Sequence, residues 1–186
     1  MTHKFSLFII ALLMLSVAGC KGKKEMKRAD VLFNKGKGIF RNVDFDMDLE
    51  TAKKNETAPL ANSAEDYLRY EITNMNGKAG EYVEIEYMFD KNRLDRMMVY
   101  YSVDSKNAAD GLFIDVLGYF TKKYGGTMSN DKEWRTWQLE DKKGQRGTIE
   151  IMIKKEDRDN VFGVDIEMVK YYKDEEKPAT SLLYIP

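Results

Sequence analysis

Between Tyr82 and Val103 apolar side chains fall on every second position, twice over. Val83, Ile85, Tyr87 and Phe89 alternate with polar neighbours that include Glu84 and Glu86, and Met97, Val99, Tyr101 and Val103 repeat the spacing. A period of two belongs to a strand with one face packed and the other facing water. Lys91-Asn92-Arg93 makes the turn, so the stretch predicts a hairpin of Tyr82 to Asp90 and Leu94 to Val103. This commits the chain to a sheet with one covered side.

The covering element is a helix predicted over Asn107 to Tyr124. Ala109, Leu112, Phe113, Val116, Leu117, Phe120 and Tyr124 form one stripe at three- and four-residue steps. Asp104 or Ser105 caps its start, Lys122 and Lys123 favour its last turn, and Gly125 supplies a left-handed stop. A strand is predicted before the hairpin, at Tyr67 to Thr73. Three more follow the helix: Trp134 to Glu140, Gly147 to Lys155 with Ile149, Ile151 and Ile153 inward, and Val161 to Tyr171. In the last, Phe162, Val164, Ile166 and Met168 point inward, and Asp165 and Glu167 outward. Lys155 to Asn160 reads as the polar turn between the final two.

Asp44 to Glu50 carries an acid at every second place. Asp-x-Asp-x-Asp opens an EF-hand loop, but position six would be Leu49 and position twelve Asn55, where glycine and glutamate are needed. The better reading is a helix start. Asp48 is the N-cap, Glu50 sits in the first turn, Met47 packs on Ala52, and a short helix runs from about 49 to 56 until Pro59 ends it. The order is helix, three strands, helix, three strands. It predicts an α+β fold: an antiparallel sheet of about six strands with one long and one short helix packed on one face. The halves look like two copies of helix-plus-strands. The echo of Ala29-Asp30-Val31-Leu32-Phe33 in Ala109-Asp110-Gly111-Leu112-Phe113 is read as chance.

Ahead of this lies an address. His3 and Lys4 head an apolar run from Phe5 to Ala18, shorter than the about 20 residues that span a bilayer. Such a run ending in small residues is that of a secretory signal peptide. Val17-Ala18-Gly19-Cys20 resembles the lipobox of bacterial lipoproteins. That resemblance implies cleavage before Cys20 and lipid attachment through it, with the membrane lipid as first partner. Two or more acyl chains hold a protein stably where one does not. The expected organisation is a signal peptide at 1–19, lipidated cysteine and basic tether at 20–40, one α+β domain at 41–172, and a tail at 173–186. Lys21 to Arg28 carries five basic residues and one acid, a solvated spacer or a collar drawn to anionic head groups. Val31, Leu32 and Phe33 read as a short docking segment. The tail ends in Leu182, Leu183, Tyr184 and Ile185, either a last strand or a docking segment.

Cleavage would leave 167 of the 186 residues, enough for a real core. The leader holds Lys4 and no acid, so the mature chain carries 29 basic against 31 acidic residues, a net of −2. That balance argues against a dedicated nucleic-acid binder. The only histidine is His3, which leaves with the leader, and the only cysteine is Cys20, whose sulfur lipidation occupies. Without imidazole or free thiol, the mature chain has no Ser-His or Cys-His nucleophile pair, no His- or Cys-ligated zinc or haem, and no internal disulfide. No phosphate-binding glycine loop is present. Carboxylate pairs can hydrolyse glycosides, but no pair is singled out by its setting. Trp134, Trp137 and the tyrosines are read as core and sheet-surface aromatics ahead of a sugar or peptide platform.

Met47-Asp48-Leu49-Glu50 at a capped helix start, Lys123-Tyr124-Gly125 at a helix end and Trp137 ahead of the isoleucine strand resemble two groups of envelope and secreted proteins. These are the SmpA/OmlA-type assembly lipoproteins and the β-lactamase-inhibitor-like proteins. The resemblance implies scaffolding or protein binding, with no catalysis and no cofactor. The expectation is a non-enzymatic lipoprotein of the bacterial cell envelope that binds another envelope protein. Lys21 after the anchor is compatible with the periplasmic side of the outer membrane. The alternative is a module that binds glycan or lipid in a cleft between the long helix and the sheet. A scaffold needs an exposed apolar or aromatic face, and a ligand module needs a largely apolar cavity.

Overall fold

The computed structural model describes residues 28–33, 36–127, 129–130, 133–140, 147–158 and 160–172. The leader, Cys20, the tether up to position 27 and the tail from 173 lie outside the described residues. In chain order the elements are α1 (Arg28–Phe33), α2 (Leu49–Asn55), β1 (Leu60–Ala64), β2 (Tyr67–Thr73), a 3-10 turn (Met75–Gly77), β3 (Tyr82–Asp90), β4 (Arg93–Val103), α3 (Lys106–Tyr124), β5 (Ser129–Asn130), β6 (Trp134–Glu140), β7 (Gly147–Arg158) and β8 (Val161–Tyr172).

All eight strands join one antiparallel sheet in the order β1-β2-β3-β4-β8-β7-β6-β5. The six expected strands are present, and two short ones, β1 and β5, extend the edges. The first half runs two helices and then four strands, the second one helix and then four strands, and the last strand of each half pairs with the other, β4 against β8.

The alternation settles which face is covered. Leu68, Ile85, Val99, Ile166, Ile153 and Trp137, one from each of the six long strands, are buried together in a single core. The helices bury their own stripes in that core: Ala29, Leu32 and Phe33 of α1, Ala52 of α2, and Ala109, Leu112, Val116 and Phe120 of α3. Each valine, leucine, isoleucine or phenylalanine among them contributes about 1.5–3 kcal/mol when removed from water. All three helices thus lie on one side of the sheet.

Local chemistry explains the helix ends. Asp48 caps α2, accepting from the Thr51 amide at 2.7 Å, and Ser105 caps α3, accepting from the Ala108 amide at 3.3 Å. Gly125 ends α3 at φ 89°, ψ −163°, a conformation open to glycine but outside the left-handed helical region expected for the stop. Two boundaries differ from expectation. β7 runs on to Arg158, so the polar stretch after Lys155 is mostly strand. The packed body also takes in residues assigned to the tether, since Ile39 and Phe40 are buried alongside α1. Phe33 stacks on Tyr119 of α3 with ring centres 3.9 Å apart, which fixes α1 as a helix where a docking segment was expected.

Candidate functional site

The side of the sheet away from the helices is the open face. Cross-strand register aligns its side chains in rows. One row is Tyr67, Met88, Arg96, Val169, Glu150 and Gln138. The next is Arg69, Glu86, Met98, Glu167, Met152 and Thr136. The third is Glu71, Glu84, Tyr100, Asp165, Lys154 and Trp134, and the fourth is Thr73, Tyr82, Ser102, Gly163 and Glu156. Val161, 46% exposed, stands on the same side where β8 begins. Most of these side chains are half-buried by one another. The result is a broad surface of tyrosine, methionine and tryptophan threaded with charge. Methionine suits such a surface, because its unbranched chain adapts to irregular partners.

The charges on this face are unevenly satisfied. Tyr67 donates its hydroxyl to Glu86, and Tyr82 donates to Glu84 at 2.9 Å. Lys154 pairs with Glu156 at 3.1 Å and lies over the Trp134 ring at 5.4 Å. Arg96 approaches Glu167 at 3.8 Å. Asp165, opposite Tyr100 on β4 and Lys154 on β7, has its carboxyl pushed up to about 6, first by burial and then by the charge of Glu156. Burial also raises Glu167. The Tyr100 hydroxyl is buried without a hydrogen-bond partner, and burial with the charge of Asp165 pushes it up to about 12.

The covered face contrasts with this. Glu56 lies wholly buried and accepts from Arg41 Nε at 3.0 Å, the Tyr87 hydroxyl at 2.7 Å and the amides of Thr57 and Ala58 at 2.7 Å. Glu81 accepts from Tyr101 and pairs with Arg28 at 2.9 Å. Asp46 accepts from the Tyr172 hydroxyl at 2.7 Å and pairs with Lys170. In each case a tyrosine fixes a loop carboxylate to the sheet, and a cation from α1, a loop or β8 neutralises it. These are structural latches, since their polar atoms are consumed by one another.

A second concavity, a cleft of about 710 Å³, lies between α3 and the ends of β6 and β7, with Asp110, Phe113, Ile114, Arg135 and Asp157 in its lining. Its charges serve as ties: Lys155 Nζ donates to Asp110 at 2.6 Å, and Lys106 pairs with Asp157. It is where the glycan or lipid alternative placed a cleft, but its wall is charged.

The residues singled out in the sequence are divided by the fold. Trp134 stands on the open face. Trp137 is core, with its indole N–H donated to the Gly125 carbonyl at 3.0 Å. The acids of the 44–50 run separate, Asp48 to the α2 cap and Asp46 to the Tyr172 latch. Among the described residues no cluster of three or more carboxylates can hold a metal ion, and no helix is long and apolar enough to cross a membrane. Cys20 lies outside the described residues. Tyr100 and Asp165 were not foreseen as a pair. The outward position of Asp165 was visible in the β8 alternation, but its neighbour depends on the β4–β8 register. Comparison with protein-family models, curated proteins and solved structures finds no match.

Proposed function

We propose that the protein is a lipid-anchored, non-enzymatic envelope protein that holds another protein against the open face of its sheet. The carrying observation is that face itself: six long strands wide, with no helix over it among the described residues, and bearing Tyr67, Tyr82, Met98, Tyr100, Met152 and Trp134. Aromatic, methionine and arginine side chains are enriched in protein interfaces. The cleft between α3 and the sheet is charged and internally paired, which gives the glycan or lipid alternative less support. Anchoring through Cys20 and placement in the bacterial envelope rest on the lipobox and the basic tether.

A photo-reactive residue at Met152 of the full-length chain, compared with one at Ile114 on the helix side, tests this. Irradiation in the native envelope is expected to give one recurrent protein adduct from position 152 and none from 114. Cys20→Ser, left unanchored, should weaken that adduct. Equal adducts from both positions, or none from 152, would contradict the reading.

A further inference from the structure

The open face is strongly acidic at its centre. Across its four rows carboxylates outnumber cations seven to three, and the three cations are engaged within the face, Arg69 with Glu71 at 2.5 Å, Arg96 with Glu167 and Lys154 with Glu156. Asp165 is left over. Among the described residues no hydrogen bond or ion pair reaches it, and Lys154 beside it is held by Glu156. Next to it the Tyr100 hydroxyl also has no partner. A carboxylate without an ion pair of its own is suited to an ammonium or guanidinium group. A divalent cation is a poorer match, since no metal-holding cluster of three carboxylates is present among the described residues.

We infer that the partner of this face is a protein surface rich in lysine and arginine, with one cationic side chain seated against Asp165. The inference rests on reading the open face as a protein-binding surface. Charge complementarity carries it. Asp165 is already stripped of much of its water in the free protein, so an incoming cation gains its attraction with little further desolvation. Met98, Met152 and Trp134 surround the position and exclude water once a partner lies on them. The acidic face and the basic Lys21–Arg28 tether also separate two tasks: anionic lipid attracts the tether and repels the face.

The test places a photo-reactive residue at Met98 of the full-length chain, in isolated membranes, with the cross-linked peptide sequenced. The expected adduct is a lysine- or arginine-rich peptide. Its yield should fall several-fold in about 0.5 M salt, where exposed charges are screened. Asp165→Asn should lower the yield similarly, Asp165→Glu should retain it, and Glu65→Gln in the β1–β2 turn should leave it unchanged. Thermal unfolding of each variant checks that it folds. An acidic or uncharged peptide, or a yield indifferent to salt and to Asp165→Asn, overturns the cationic partner and leaves protein binding standing. Cross-links back to Leu182–Tyr184 of the same chain make the tail the occupant and overturn it too. No protein adduct at all overturns both readings.

Discussion

The two faces of the sheet carry the same residue types and use them differently. On the covered face Tyr87, Tyr101 and Tyr172 each give a hydroxyl to a carboxylate that also holds a cation. The Tyr70 hydroxyl is a covered-face exception, buried with no partner. On the open face Tyr67 and Tyr82 also give their hydroxyls to carboxylates, but the Tyr100 hydroxyl lacks a partner and Asp165 makes no ion pair, sharing the charge of Lys154 with Glu156. Pairing on the covered side fixes loops to strands. Incomplete pairing on the open side leaves attraction to spare for a second molecule, and the fold bears its cost as a raised carboxyl at Asp165.

The largest test of this contrast is Glu56→Ala. It strands Arg41 in the core and removes the acceptor from Tyr87 and two amides, so unfolding should become easier by about 3–5 kcal/mol in a denaturant titration. A loss below about 1 kcal/mol would mean that the latch is ornamental. Glu81→Gln keeps the shape and one acceptor for Tyr101 but loses the charge facing Arg28, with an expected loss of about 1–3 kcal/mol.

The pH dependence sharpens the open side. Asp165 has its folded value at about 6 against an ordinary 3.8, so between these values the native state binds the proton more tightly than the unfolded chain. Its contribution is most favourable below the lower value and is lost as pH rises through about 6. Stability should therefore decline across that window by about 1–2 kcal/mol from this group, and Asp165→Asn should flatten the decline. A wild-type curve that rises with pH there, unchanged by the variant, would remove the account of Asp165. The smallest effect is Tyr100→Phe. Losing an unpartnered hydroxyl should leave stability within about 0.5 kcal/mol or raise it, whereas removing a paired hydroxyl, as in Tyr101→Phe, should cost about 1 kcal/mol.

The sequence made the central elements plain because their burial is periodic. Tyr82–Asp90 and Trp134–Glu140 begin and end where the alternation and turn residues place them. The edges were hidden for a physical reason. β1, Leu-Ala-Asn-Ser-Ala, has no β-branched residue and every side chain is exposed, so it leaves no hydrophobic pattern. α1 has only six residues, too few to show a stripe, and its helix is held by Phe33 against Tyr119 and Phe120. β7 continues through Lys154, Lys155 and Glu156, where Lys155 reaches Asp110 of α3, 45 residues away in sequence, and so leaves no local signal. The open face itself was half legible: Glu84, Glu86, Asp165 and Glu167 were read as outward. The latches at Glu56 and Glu81 were not, because they join loops to strands far along the chain.

Asp165→Asn offers the most direct single measurement, made twice on one variant: its unfolding free energy at pH 7, and its adduct yield from the photo-reactive residue at Met98. The account predicts opposite movements, a protein more stable by about 1–2 kcal/mol that captures its partner several-fold less well. A variant that loses both stability and capture would make Asp165 a structural residue like Glu56. One that gains stability and captures its partner as before would place the docking surface elsewhere.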